Sequence, residues 1–120
     1  MRVPLASAAP AYVHLIADLV GVAEAQLRDA SLLCGLIIAA AGAVGLAPLG
    51  MPLVRSLPQG GLSGILLMYG CHLAIHTMPE RKLLLLDVLV PQTHDPNRAL
   101  TVFARRLLPV QIVTEQRSRG

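Results

Sequence analysis

A chain of 120 residues is one domain by size, and its 54% hydrophobic content excludes an intrinsically disordered protein. With scattered basic residues, one Phe, two Tyr and no Trp, the chain lacks the basic stripe and the stacking platform of a nucleic-acid-binding protein. Only 14% of its residues are charged at a net charge of +3, so it has more apolar surface than one small core hides, and we expect a subunit interface.

The first third of the chain predicts a tail, a strand and an apolar helix. Residues 1–11 are expected to form a flexible tail, and from Tyr12 polar and apolar residues alternate as they do in a strand. Asp29 is predicted to cap a helix that runs to about Ala41 and ends at a following glycine. Because this helix has almost no polar face, we expect the sheet and a further element, such as a partner subunit, to cover it.

The uncharged stretch 31–54 raises the alternative of a membrane-spanning segment, because its length would cross a bilayer. Glycines and prolines interrupt its second half, where they would break a continuous helix. We therefore interpret it as a buried helix followed by a strand at 46–57, and we expect no membrane association.

Three short apolar runs follow, at residues 62–69, 72–78 and 83–90. Turn residues separate them and each is too short for a helix, so they predict neighbouring antiparallel strands. After them, Asp95 followed by Pro96 predicts the start of a second helix.

A last short strand is expected at 110–113, before a charged tail at 115–120. The order β-α-β-β-β-β-α-β predicts an α+β fold over residues 12–114, with one antiparallel sheet and both helices on one face. The other face of that sheet then needs covering.

The polar residues inside the central runs allow two simple interpretations. Cys34 and Cys71 are too few for a disulfide framework, so we expect free thiols in a reducing cytoplasm. His72 and His76 share a strand face but lie about 13 Å apart along an extended strand, which is too far for one metal ion. Unless His14 or His94 completes a different set, we expect no metal site.

Four sequence motifs resemble the prokaryotic S-adenosylmethionine decarboxylases, the small pyruvoyl enzymes of spermidine biosynthesis. In chain order they are VHLIADL at 13–19, GLSG at 61–64, CHLAIHTMPE at 71–80 and Asp87-Val88. The resemblance implies a proenzyme that cuts its own backbone before a serine, by an N-to-O acyl shift and β-elimination. The serine becomes a pyruvoyl group, which takes up the electrons released with carbon dioxide. It also implies a homodimer in which two sheets stack between two helical layers.

Carried over by position, the resemblance places the cleaved serine on Cys71 and the preceding glutamate on Gly70. It places the histidine and the serine that assist processing on His76 and Ser63. The cysteine that donates a proton falls near Pro91, which has no proton to give. In an ideal strand the residues at 71 and 76 point to opposite faces, so their cooperation needs a bend.

The resemblance also implies that Glu80 and Asp87 bind a cationic substrate, while an exposed or ion-paired role is the alternative for both. The resemblance implies a tryptophan before Pro-Glu, where this chain has Met78. It also implies aromatic residues that stack on adenine, and these have no counterpart within 51–57.

Two functions therefore stay open. In the first, the chain is a pyruvoyl-dependent carboxy-lyase whose pyruvoyl group derives from Cys71, because a thiol is a better nucleophile than a hydroxyl once a base raises its thiolate fraction. Its substrate would be S-adenosylmethionine or another amino acid. In the second, Cys71 is a buried thiol beside a β-bulge glycine. The chain is then an unprocessed homologue that binds a small ligand or regulates a true decarboxylase.

Overall fold

The computed structural model describes residues 9–120, and their fold is a six-stranded antiparallel sheet with the helices packed on one face. The elements in chain order are β1 (Tyr12–Val20), α1 (Glu24–Leu27), α2 (Ala30–Val44), β2 (Leu53–Ser56), β3 (Leu62–Met68), β4 (Cys71–Met78), β5 (Leu83–Pro91), α3 (Asn97–Leu107) and β6 (Gln111–Arg119). The strands lie in the order β2-β3-β4-β5-β1-β6. The predicted α+β architecture and order of elements are confirmed.

Alternating side chains divide the sheet into a core face and an open face. In β1, for example, Val13 and Leu15 are buried against the helices, whereas His14 and Ile16 lie on the other side. The open face is the side of β1, β3, β4 and β5 that points away from the helices. Its side chains include His14, Ile16, Asp18, Ser63, Ile65, Leu67, His72, Ala74, His76, Leu85, Asp87 and Leu89. This is the sheet face that the sequence left without a cover.

The apolar helix α2 has the predicted start and a later end. The Asp29 carboxylate accepts a hydrogen bond from the Leu32 N–H at 3.0 Å, and Gly45, in the left-handed conformation, closes the helix. One side of α2 packs on the sheet. We expected a further element to cover α2 as well, and α3 packs against it. Within residues 9–120 every helix is too short or too polar to cross a membrane.

Two strands have bounds that differ from the predicted ones. Only Leu53–Ser56 of the predicted strand at 46–57 forms β2, and Pro48 makes an isolated bridge to Met68, because prolines cannot donate to a ladder. The predicted end at residue 113 is wrong, because β6 continues to Arg119 and pairs with β1 along its whole length. Both faces of β6 are exposed, so most of its residues are polar, and this polar sequence led to the prediction of a tail.

The predicted N-terminal tail lies mostly outside the described residues, since residues 1–8 are not part of them. Ala11, at its end, is hydrogen-bonded through its N–H to the Arg119 carbonyl oxygen at 3.1 Å. The second helix starts close to the predicted position: the Asp95 carboxylate accepts from the Asn97 N–H at 2.9 Å.

A buried threonine joins the sheet to α1. The Thr77 hydroxyl accepts from the Leu62 N–H and donates to the Leu27 carbonyl oxygen, both at 2.9 Å. A Cβ at Gly61 would lie 2.5 Å from the Thr77 carbonyl oxygen, so this close approach of β3 and β4 requires glycine.

Candidate active site

Two adjoining grooves run across the open face. One has a volume of about 230 Å³ and lies over β2, β3 and β4, and the other, of about 290 Å³, lies over β1, β4 and β5. They share Ile65, Ala74 and His76 in their walls. The second groove also contains the carboxylates of Asp18 and Asp87, so the open face offers a polar site within an apolar surface.

Ser63 and His76 face each other across β3 and β4 as direct register partners. The Ser63 hydroxyl is hydrogen-bonded to His76 Nδ1 at 2.8 Å, and the His76 side chain is exposed. The structure therefore brings together the two residues that were predicted to assist processing.

Asp87 is in contact with two histidines from the strands on either side of it. His14 on β1 donates from Nε2 to Asp87 Oδ1 at 2.7 Å, and His72 on β4 donates from Nε2 to the same oxygen at 3.3 Å. Both histidines are register partners of Leu89, two residues from Asp87 on β5, and are therefore diagonal neighbours of Asp87. The sequence allowed an ion-paired role for Asp87 but did not identify these partners, because this cluster depends on the register of three strands.

Cys71 begins β4 and points to the core face. Its thiol is 6% exposed and its Sγ contacts the Tyr69 carbonyl oxygen at 3.6 Å. Burial raises the pKa of this thiol above its ordinary value of 9.0. The thiol therefore stays protonated to higher pH than an exposed cysteine would.

The structure does not bring Cys71 and His76 together. They lie on opposite faces of one uninterrupted strand, and five residues of extended chain separate them by about 16 Å. The bend that their cooperation needs is absent from β4. Ser63, paired with His76, is equally remote from the thiol.

The bond between Gly70 and Cys71 lies at the end of the β3–β4 hairpin. Tyr69 and Gly70 form the turn between the register partners Met68 and Cys71. The φ angle of Gly70 is +72°, in the left-handed region that favours glycine, so this glycine belongs to a turn and not to the suggested bulge.

The Tyr12 hydroxyl approaches this turn from β1. It lies 3.1 Å from the position that a Cβ on Gly70 would occupy. Tyr12 is also the register partner of Pro91, the position without a proton to give. Sequence reasoning missed Tyr12, because only the register of β1 and β5 places it at this end of the sheet.

Glu80 lies away from these groups. It is exposed in the short 3-10 turn Pro79–Arg81, beyond the end of β4 that is opposite to Cys71. The structure therefore separates Glu80 from Asp87, with which it was predicted to bind substrate. Among residues 9–120, no three His, Cys, Asp or Glu side chains are placed to hold a metal ion.

Known proteins resemble this chain over nearly its whole length. The family model described as S-adenosylmethionine decarboxylase matches residues 13–120. The S-adenosylmethionine decarboxylase proenzyme of Thermoplasma volcanium is 31% identical over 111 residues, which cover 90% of this chain and 83% of that protein. The proenzyme of the same name from Brevibacillus brevis is 33% identical over 108 residues, with 89% and 80% covered.

The fold is similar as well. The crystal structure of the adenosylmethionine decarboxylase from Aquifex aeolicus superimposes with a TM-score of 0.85 at 26% identity, covering 94% of this chain and 93% of that one. With the family model matched from β1 to the last residue, this chain belongs to the S-adenosylmethionine decarboxylase family.

Proposed function

We propose that this chain is a self-processing decarboxylase that forms a pyruvoyl group from Cys71 and acts on S-adenosylmethionine or a related amino acid. The observation that carries the proposal is the placement of the Gly70–Cys71 bond at a hairpin turn, where Gly70 itself has a left-handed φ angle. Both relatives named above are called proenzymes, which supports a chain that is cut after synthesis.

The proposed cleavage balances without an added oxidant. Cys71 Sγ attacks the Gly70 carbonyl carbon, a C–S bond forms, the C–N bond breaks, and the thiol proton is matched by the proton gained by the Cys71 nitrogen. Removal of the Cα proton then breaks the Cβ–S bond, which releases the upstream segment and leaves a Cα–Cβ double bond at residue 71. Water then adds at Cα of residue 71 and the nitrogen leaves as ammonia, which gives the ketone.

The sulfur makes one product differ from that of a serine. Because the leaving group is a thioacid, the upstream segment ends in a thiocarboxylate at Gly70 rather than a carboxylate. Its mass exceeds that of the carboxylate by the difference between sulfur and oxygen.

The residues at this position fit the formation of a pyruvoyl group, because Cys71 has a leaving atom on Cβ and Gly70 permits the turn. Once formed, that group supplies the electron sink for decarboxylation. In the proposal, the Asp87 carboxylate attracts the substrate ammonium in the larger groove, and His14 and His72 fix its orientation. Glu80 is too remote to contact the same ligand within one protomer.

A processing role for Ser63 and His76 at residue 71 requires a second protomer. The exposed apolar side chains of the open face, among them Ile16 and Ile65, support a homodimer in which two sheets stack. Such stacking would also exclude water from both grooves.

An intact-mass spectrum of the purified protein, before and after prolonged incubation, tests the proposal. We expect two fragments that meet between residues 70 and 71, the downstream one with the mass of a pyruvoyl end. Cys71→Ala should stay whole, and Cys34→Ala, which removes the other thiol, should be cut like the wild type. A wild-type mass that never changes would contradict the proposal.

The buried position of Cys71 favours a second candidate function. A thiol whose pKa is raised by burial, and which lies away from Ser63 and His76, is suited to an unprocessed homologue. Such a protein would bind a small ligand on the open face or regulate a competent decarboxylase. Adding the uncut chain to a competent family member and measuring carbon dioxide release tests this: an unchanged rate would contradict regulation.

A further inference from the structure

We propose that Tyr12 is the proton donor for opening of the bond between Gly70 and Cys71, an inference that rests on the proposed self-processing.

Tyr12 is the first residue of β1, and β5 separates β1 from β4. Its register partner on β5 is Pro91, and its ring extends past that residue to the hairpin turn. The hydroxyl lies 3.1 Å from the Cβ position of Gly70. That position is two bonds from the carbonyl carbon of the same residue, so the hydroxyl lies near the residue whose peptide bond would be cut.

Gly70 and Tyr12 are complementary in shape. A side chain at position 70 would be strained at φ +72° and would crowd the phenol oxygen. The space above residue 70, where the family resemblance implies a carboxyl group, is therefore occupied by a hydroxyl from another strand. A polar group is thus retained beside the bond, although the residue at position 70 has no side chain.

The chemistry needs a proton on this side of the peptide. The amide nitrogen leaves only when it is protonated, and a phenol O–H can donate a proton to it. Cys71 Sγ lies on the core face and the Tyr12 ring belongs to the open side of β1, so attack and proton transfer approach the peptide from different sides. Tyr12 gives its proton to the nitrogen and regains, through solvent, the proton that the thiol loses.

Neighbouring groups are less suited to this role. Pro91 has no proton to give, and His72 already donates from Nε2 to Asp87. Tyr69 is the other tyrosine of the chain, but its side chain is 84% exposed at the tip of the turn. It therefore provides a matched control, with the same hydroxyl at the same turn but directed into solvent.

The test compares the cleavage rates of the wild type, Tyr12→Phe and Tyr69→Phe from intact-mass spectra over a range of pH. Hydroxylamine is added in parallel, because it cuts the thioester that the acyl shift forms and so separates the shift from the elimination. We expect Tyr12→Phe to slow the hydroxylamine-dependent cut by about 100-fold or more across the pH range. Tyr69→Phe should match the wild type, and thermal unfolding should be the same for all three.

The outcomes separate this inference from the proposed function. If the wild type is cut and Tyr12→Phe is cut at the same rate and with the same pH profile, the inference is overturned while self-processing stands. If both phenylalanine variants are slowed equally, the effect is not specific to Tyr12 and the inference is again overturned. If the wild type stays whole even with hydroxylamine, self-processing fails and the role of Tyr12 fails with it.

Discussion

Replacing Thr77 by valine should destabilise the fold strongly although it changes the shape of the side chain very little. Thr77 is 2% exposed, and its hydroxyl satisfies the Leu62 N–H and the Leu27 carbonyl oxygen, both of which are buried. Leaving a buried donor or acceptor unpaired costs about 1–3 kcal/mol, so we expect a loss of about 2–6 kcal/mol for the two together. That is a large part of the roughly 5–15 kcal/mol by which a typical domain is stable.

Urea unfolding followed by circular dichroism measures this loss. Thermal unfolding gives a second measure: at about 4 °C per kcal/mol for a domain of this size, the melting temperature should fall by about 8–24 °C. Thr101→Val is the matched control, because Thr101 donates to the Asn97 carbonyl oxygen on the exposed side of α3. That variant should stay within about 0.5 kcal/mol of the wild type. A Thr77→Val protein as stable as the control would refute the role of this hydroxyl in joining β3, β4 and α1.

Two further predictions concern the open face and the buried thiol. Ile16 on the open face and Ile38 on the outer side of α2 are equally exposed, at 41% and 42%. We expect Ile16→Asp to convert the proposed homodimer to a monomer in size-exclusion chromatography and Ile38→Asp to leave it intact; the reverse pattern would place the interface on the helices. Because burial raises the folded-state pKa of Cys71, its contribution to stability is complete below the unfolded-state value near 9.0 and is lost as pH rises through the folded-state value. The stability of the uncut wild-type chain relative to Cys71→Ala should therefore decline in urea titrations above that pH, and a difference that stays constant would contradict a buried, ionisable thiol.

Local signals in the sequence account for most of the fold. Alternation identified β1, and the cap at Asp29 identified the start of α2, because both patterns depend on residues that are neighbours along the chain. Elements whose pairing is not visible in their own residues were predicted poorly. β6 is polar on both sides, and only its ladder with β1 makes it a strand.

The same distinction applies to the site. The opposite orientations of Cys71 and His76 follow from the two-residue period of a strand, and the structure agrees with that expectation. The contacts of Asp87 with His14 and His72 do not follow from any local pattern, because three strands contribute to them. A family motif indicates which residues matter, whereas strand register decides which of them meet.

The sheet separates the reactive groups into two environments. The thiol of Cys71 lies in the apolar core, and the titratable groups around Asp87 lie on the open face. A backbone that is paired on both sides keeps such environments apart, but the hairpin turn at Gly70 is the end of that pairing. At this turn the Gly70–Cys71 bond lies next to a buried thiol, and a hydroxyl from the other side of the sheet lies close to Gly70. If this chain cuts itself, the end of the β3–β4 hairpin is therefore the place where the geometry permits it.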